Sequence, residues 1–457
     1  KSSIADFYYQ ILTLNNKKAA TIGTLGVRSK TVNFDLLNTT IDPIHLGQVL
    51  KKLKNHRIEN VIMEASSHGL DQNRLDGLLF NTGIFTNLSQ DHLDYHKNLK
   101  DYLDAKLYLF RNLIKKKGNI ITDSKIPEFV EIKKIAKKKF LKLNTIEGKN
   151  EKLKILTHSF HDESQILKIK YKGVVKHIRI NLIGKIQIKN ILMALIAAEK
   201  SGLNLNKILN VLPSLKPIEG RFEKIGMIKN KSKVILDYAH TPDALKTCLL
   251  NLKEQFPDKK IISLFGCGGN RDQNKRSKMG KIADIFSDEI YLTDDNPRFE
   301  SSHKIRKDIR TGIKKTKVIE ISDRGKAIAQ AIKNLRTGEI LLVAGKGHEK
   351  VQDIGKRKIF FSDKKIILES IKTKNHSLSN NLKLNIIKEV SGNKKFPFSL
   401  KLKQARINSK EVKKDDIFFA IKGNKNDGNK FISQSFKNKA SLAVVNKIKK
   451  NLKIHNQ

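Results

Sequence analysis

The chain has 457 residues, with 91 Lys and Arg against 45 Asp and Glu, a formal net charge of +46. That length accommodates two to four domains, and 39% hydrophobic residues is ordinary for a globular protein. No apolar run reaches the roughly 18 residues of a membrane span, and the basic residues are mostly Lys, spread along the chain with few aromatics, unlike a nucleic-acid-binding stripe. The segment after Lys1-Ser2-Ser3 lacks the apolar stretch of a secretory signal. Cys248 and Cys267 are too few for a disulfide framework and form no metal-ligand pair, so reduced thiols in a cytoplasmic protein are expected. Neither nucleic acid nor membrane insertion is expected, and a monomer is.

In chain order, strands are predicted at Ala19 to Gly23, Asn60 to Glu64, Gly83 to Thr86 and Gly118 to Thr122, with helices such as Pro43 to Asn55 and Lys100 to Leu113 between them. This βαβ rhythm predicts a parallel sheet covered by helices. Residues 123–183 are Lys-rich, with strand-like alternation from Gln165 to Asn181, and an apolar helix spans Asn190 to Lys200. The character changes around Pro217 to Phe222. A second α/β block follows, with strands at Val234 to Asp237, Lys260 to Phe265, Glu289 to Thr293 and Ile340 to Ala344. Thr373 to Asn381 is rich in Ser, Asn and Lys and reads as a linker. The expected domains are therefore residues 1–220, 221–375 and 395–457, with a linker over 376–394.

Lys1-Ser2-Ser3 opens a helix and looks like the Lys-Ser/Thr end of a P-loop without its glycine-rich half. In a P-loop the Lys meets the terminal phosphates and the next hydroxyl binds Mg²⁺. Glu64 ends a strand, which places a hard oxygen ligand at the carboxyl edge of the sheet, where open α/β sheets bind ligands. Asp91-His92-Leu93-Asp94-Tyr95-His96, followed by Ala105-Lys106 on a helix, is a more specific pattern.

In this order the three segments resemble the central ATPase domain of the Mur ligases. The fold implied is α/β: a P-loop-type central domain, a Rossmann-like ligase domain, and a partial N-terminal-type α/β domain behind them. The resemblance implies that Lys106 is carbamylated, which turns a cation into an oxygen ligand. Glu64, His92 and that carbamate would then hold one Mg²⁺ and Ser2 another, with Lys1, His92 and Lys106 as the catalytic set. It also implies ATP contacts from Lys1, Ser2, Ser3, Asn190, Arg221, Asp237 and His240, although Ile186-Gln187 replaces the family's usual Phe-Asn before Asn190. The UDP-muramyl peptide would be held by Thr39, Thr40, Ser66, Gln72 and Arg74.

Asp295-Asn296-Pro297-Arg298 matches the diaminopimelate-adding members. A guanidinium fork recognises the distal carboxylate of meso-diaminopimelate and would be left unpaired by lysine. Arg271, Gly345 and Glu349 complete that implied set. Gly266-Cys267-Gly268-Gly269 has the wrong spacing for a dinucleotide fingerprint. The implied reaction joins meso-diaminopimelate to UDP-MurNAc-L-Ala-D-Glu through an acyl phosphate made with ATP, with two Mg²⁺ ions.

Asn408-Ser409-Lys410, Asp416 to Gly423 and Asp427-Gly428 resemble a Mur ligase N-terminal UDP-binding domain, with Asn408-Ser409-Lys410 replacing the usual Asp-Ser-Arg. A truncated fusion of two Mur ligases is therefore expected, the second of the D-Ala-D-Ala-adding kind. Three rivals stay open: a catalytically inactive piece, since half a P-loop cannot cradle phosphates, a folylpolyglutamate synthase-like ligase, and a basic nucleic-acid-binding protein.

Overall fold

The computed structural model describes residues 1–89, 92, 95–146, 153–171, 173–380, 402–423 and 426–445. Chain order begins α1 (Ser2–Leu14), β1 (Ala19–Gly23), β2 (Gly26–Ser29), α2 (Pro43–Asn55), β3 (Asn60–Met63), α3 (Ser67–Asp71), β4 (Phe80–Ile84) and α4 (Leu99–Tyr108). It continues with β5 (Ile114–Asp123), α5 (Phe129–Lys138), β6 (Lys142–Ile146), β7 (Leu153–His161), β8 (Ser164–Tyr171), β9 (Val174–Ile180), α6 (Lys185–Lys200) and α7 (Leu205–Val211).

These strands form two sheets, where the sequence rhythm predicts one. The smaller has the order β2-β1-β3, with β1 and β3 parallel and β2 antiparallel. The larger runs β4-β5-β6-β7-β8-β9, parallel as far as β7 and antiparallel from there. The change of direction follows the chain: β7, β8 and β9 are joined by tight turns, which permit only antiparallel pairing. Under both sheets α1 and α6 supply a shared core, including Phe7, Ile11, Leu12, Leu192 and Leu195. The predicted helix to Leu113 is α-helical only to Tyr108 and ends in a π-helical turn over Leu109–Leu113.

The second domain contains β10 (Glu223–Lys224), β11 (Lys233–Asp237), α8 (Pro242–Gln255), β12 (Ile261–Phe265), α9 (Lys275–Phe286), β13 (Glu289–Leu292), α10 (Ser302–Arg310), β14 (Lys317–Glu320), α11 (Arg324–Asn334) and β15 (Ile340–Ala344). Its sheet has the order β10-β11-β15-β12-β13-β14 and is parallel except for β10. β12 and β15 are buried along their whole length, as strands covered on both faces must be. One core lies on each face, the first around Leu249 and Phe265 and the second around Ile328, Leu341 and Ile367. A hairpin of β16 (Val351–Asp353) and β17 (Lys358–Phe360) leads into α12 (Asp363–Asn380).

Helix α12 overturns the expected linker as far as Asn380; residues 381–394 lie outside the described residues. Its Ser and Asn residues sit on a helix whose Ile367 and Ile371 are buried four apart, and Lys374 donates to the carbonyls of Lys333 and Leu335 at 2.9 and 2.7 Å. Tertiary burial outweighs the weak helix propensity of the exposed positions.

The two domains meet end to side. Helix α6 starts at Gly184, which has φ +88° and no side chain to cap the first turn. Two residues of α8 perform the capping instead: Asn251 accepts from the Ile186 amide at 2.8 Å and Gln255 from the Gly184 amide at 2.7 Å. Orphan helix N–H groups thus become inter-domain bonds. A third unit holds β18 (Ala405–Arg406), β19 (Ile417–Phe419), α13 (Ile432–Lys437) and β20 (Leu442–Val444) in a parallel sheet over Val412, Phe418 and Ile432. Among the described residues no helix is long and apolar enough to cross a membrane.

Candidate active site

A cavity of about 380 Å³ lies between β3 and β4, lined by Lys1, Glu64, Thr86, Asn87 and Lys106 together with apolar residues of both strands. Three of the sequence-chosen residues, Lys1, Glu64 and Lys106, thus face one space. Glu64 is buried and densely bonded. Ser2 donates to it at 3.0 Å, and Thr24 does so through its amide at 2.9 Å and its hydroxyl at 3.2 Å. Ser3 is half-buried on the first turn of α1.

The ammonium of Lys106 donates to the Asn87 carbonyl at 3.0 Å and stands 4.5 Å from the centroid of the Tyr102 ring. His92, at φ +57°, packs edge-on against His68 and Tyr102 with centroids 5.0 and 5.9 Å away. It therefore joins the cluster through Tyr102 and does not line the cavity. Gln90, Asp91, Leu93 and Asp94 of that motif lie outside the described residues.

The side chains chosen for the muramyl peptide form a chain of bonds. Thr39 meets Thr24 at 3.1 Å, and Thr40 donates to the Glu64 carbonyl and accepts from the Ser66 amide, both at 2.9 Å. Arg74 donates to the Thr40 carbonyl at 2.7 Å and to Gln72, which donates to Tyr95 at 3.2 Å. Ser66 caps α3.

Asn190 is half-buried on α6 and is not among the residues lining the cavity. Gln187, whose place in the sequence departs from the family pattern, donates to the Arg221 carbonyl at 3.2 Å. The Arg221 guanidinium lies 4.5 Å from the Tyr238 ring centroid, and its Nε is buried without a hydrogen-bond partner. Burial raises the Asp237 carboxyl, opposed by Arg221 and by the Phe222 amide, which donates to it at 2.7 Å. His240 bonds the Tyr238 carbonyl through Nδ1 at 2.8 Å. Burial, aided by Arg221, lowers His348 below the usual histidine range.

The loops after β12, β13 and β15 converge. A Cβ on Gly269 would strike the Pro297 carbonyl oxygen, and the Gly269 amide donates to the Asn296 carbonyl at 2.9 Å. The glycine-rich turn is thus a packing surface for residues 295–298, which explains glycines at a spacing wrong for a dinucleotide. Gly345 has φ +116°, and a side chain there would meet the Asp295 carboxylate. Arg298 donates to the Gly269 carbonyl at 2.7 Å and stands 3.7 Å from Asp353. Asn296 donates to Glu349 at 3.1 Å, while Arg271 is exposed.

Sequence reasoning missed two anchors of these loops. Arg324 and Asp363 are both fully buried and paired in two bonds of 2.8 and 2.7 Å, and Arg324 also donates to the Ala344 carbonyl at 2.9 Å. The other is Lys346, also fully buried.

Two α/β domains facing each other, one with a Ser, Glu and Lys around a cavity and one with convergent carboxyl-edge loops, have the build of a two-domain ligase. Residues 1–198 match the Mur ligase middle domain and residues 220–347 the Mur ligase glutamate ligase domain. The chain belongs to the Mur ligase family of ATP-dependent acid–amino-acid ligases. It is 40% identical over 373 residues to the UDP-N-acetylmuramoyl-L-alanyl-D-glutamate–2,6-diaminopimelate ligase of Rickettsia bellii, covering 80% of this chain and 77% of that protein. A solved structure of a ligase of the same name matches with a TM-score of 0.60 and 29% identity, over 83% of this chain and 77% of that one. A Mycobacterium tuberculosis folylpolyglutamate synthase also matches, with a TM-score of 0.60 at 12% identity over 75% of this chain and 86% of that one, which shows a shared fold alone. The two family matches end before residues 402–445.

Proposed function

We propose that this chain is the ligase that adds meso-2,6-diaminopimelate to UDP-MurNAc-L-Ala-D-Glu, with ATP as co-substrate, in peptidoglycan precursor synthesis. The observation that carries the substrate is the loop Asp295 to Arg298, seated against Gly269 and tied to Glu349. A guanidinium and a carboxylate brought into one loop cluster suit a ligand that ends in both a carboxylate and an ammonium.

In the reaction the D-Glu γ-carboxylate attacks the γ-phosphorus of ATP, and ADP leaves. The amine of diaminopimelate then attacks the acyl phosphate, loses a proton, and expels phosphate to leave the amide. Lys1, Ser2, Ser3, Arg221, Asp237 and His240 are assigned to ATP, with Asn190 on the adenine side. Thr39, Thr40, Ser66, Gln72 and Arg74 are assigned to the muramyl peptide, and Arg271, Asp295 to Arg298, Gly345 and Glu349 to diaminopimelate. Holding the reactants in line accounts for much of the rate in such transfers.

The oxygens of Ser2 and Glu64, 3.0 Å apart, suit Mg²⁺, because neighbouring ligands of an octahedral Mg²⁺ stand roughly 3 Å apart. A second ion is assigned, on the resemblance, to Glu64, His92 and a carbamylated Lys106; Glu64 and Lys106 share the cavity, while His92 stands behind Tyr102 and would have to turn towards it. Bound there, Mg²⁺ would neutralise charge on the phosphates and the acceptor carboxylate. Residues 1–220 are assigned as the ATP-binding domain and 221–375 as the amino-acid-binding domain of a cytoplasmic monomer. The α/β build of residues 402–445 supports reading that unit as a UDP-binding-type domain of a second, D-Ala-D-Ala-adding Mur ligase.

The test is phosphate release with ATP, Mg²⁺ and UDP-MurNAc-L-Ala-D-Glu, comparing meso-diaminopimelate with L-lysine. It is run on this chain and on one extended before Lys1 by a glycine-rich phosphate loop. Turnover that depends on diaminopimelate in the extended chain is expected; silence in both folded proteins overturns the assignment.

A further inference from the structure

Lys346 lies between Gly345 and Gly347, directly after the fully buried strand β15, and is itself 0% exposed. Its ammonium has three acceptors: Asn296 Oδ1 at 2.9 Å, Glu349 Oε2 at 3.0 Å and the Val351 carbonyl at 2.7 Å. A lysine has three N–H bonds, so all of them are used. The three acceptors belong to different segments, the loop after β13, the loop after β15 and the start of β16. The two side chains among them also bond each other, Asn296 Nδ2 to Glu349 Oε2 at 3.1 Å. Asn296 Oδ1 further accepts from the Asp353 amide at 3.0 Å, which fixes the amide orientation.

The other carboxylate oxygen of Glu349 accepts from the Tyr238 hydroxyl at 3.2 Å. Tyr238 is kept protonated by burial and by Glu349, both of which raise it. Glu349 is thus gripped on both oxygens by donors from three loops, its own and those after β13 and β11. A bare salt bridge at a surface would leave it mobile; a buried ammonium with every proton committed does not.

We propose that Lys346 is a positioning residue for the amino-acid substrate, holding Asn296 and Glu349 in the one arrangement that reads the distal end of the diamino acid. This rests on the substrate assigned above. Lys346 acts through Glu349 and Asn296 and need not touch the ligand. Its buried charge is balanced by Glu349, so removing either partner strands the other, while removing both strands neither.

The experiment is calorimetric titration of the full chain with meso-diaminopimelate, and with L-lysine as control. The variants are Lys346→Met, Glu349→Gln, the double variant and Tyr238→Phe, each checked for an intact thermal transition. Lys346→Met and Glu349→Gln are each expected to weaken diaminopimelate binding about tenfold or more, and Tyr238→Phe about threefold. The double variant is expected within about twofold of the weaker single one, because the two residues act as a unit. Additive losses, or undiminished affinity in a folded Lys346→Met, overturn the role of Lys346. Should Lys346→Met fail to fold, undiminished affinity in Tyr238→Phe together with Glu349→Gln overturns the grip on Glu349 and the proposal with it. No binding by the parent chain removes the substrate reading, and this role falls with it.

Discussion

Lys346 and Arg324 are fully buried and each anchors a loop of the second domain. On the side of the first domain assigned to the muramyl peptide, Gln72, Tyr95 and Asp71 form their chain of bonds at the surface instead. The difference teaches which half is built before substrate arrives. The amino-acid loops are set by groups whose desolvation has already been offset within the fold. The side assigned to the muramyl peptide and the phosphates is mixed: Thr40, Ser2 and Glu64 are buried, while Gln72, Arg74 and Tyr95 are exposed or half-exposed, and their bonds compete with water and gain strength when a ligand excludes it.

The comparison can be broken at its extremes. Lys106→Ala is expected to cut turnover on the order of a thousandfold while leaving diaminopimelate affinity unchanged, as single-turnover kinetics beside calorimetry would reveal. Coupled losses in both would mean that the two halves are not separately built. Arg324→Met strands the Asp363 carboxylate in a dry site and is expected to cost about 3–5 kcal/mol, read from denaturant midpoints. A loss under about 1 kcal/mol would deny that the clamp anchors anything. Arg298→Ala is expected to weaken selection of diaminopimelate over lysine on the order of a hundredfold, with the thermal midpoint nearly unchanged.

The smallest effect sharpens the contrast with the periphery. Burial raises Asp284, but the Thr316, Lys314 and Lys315 amides and the Thr316 hydroxyl outweigh it and bring the group to about 2. A folded value below the unfolded 3.8 stabilises above pH ~4, and that contribution disappears as pH falls from ~4 towards ~2. Asp284→Asn is therefore expected to flatten stability across that window, measured by urea midpoints at several pH values, without changing ligand affinity.

Much of this was legible in the sequence. The buried strands β12 and β15 announce themselves as short apolar runs, and Asp295 to Arg298 and Gly345 to Glu349 as motifs. Lys346 stood inside a recognised motif yet carried no mark of its role. A lysine between glycines straight after a wholly apolar strand can turn either way, and only the fold shows its ammonium turned inward. Arg324 and Asp363 are 39 residues apart, at the starts of two helices, and no local pattern pairs them. The linker reading weighed composition above continuity: the face marked by Ile367 and Ile371, just before the expected linker, continues through Lys374, and the helix runs on to Asn380 across residues that are turn formers by type. The two sheets of the first domain could not be read from strand rhythm, which records order along the chain and not lateral neighbours.

Arg298 holds its backbone at φ +51°, a region that glycine enters freely and arginine enters at a cost of about 1 kcal/mol. An Arg298→Gly chain would relax that turn and lose the guanidinium. That loss includes the bond to the Gly269 carbonyl, which sets part of the gain in backbone freedom aside. On the substrate reading proposed above, a bulky cation kept in a glycine's posture is the trace of a trade, in which a little of the molecule's robustness is exchanged for the ability to tell one amino acid from another.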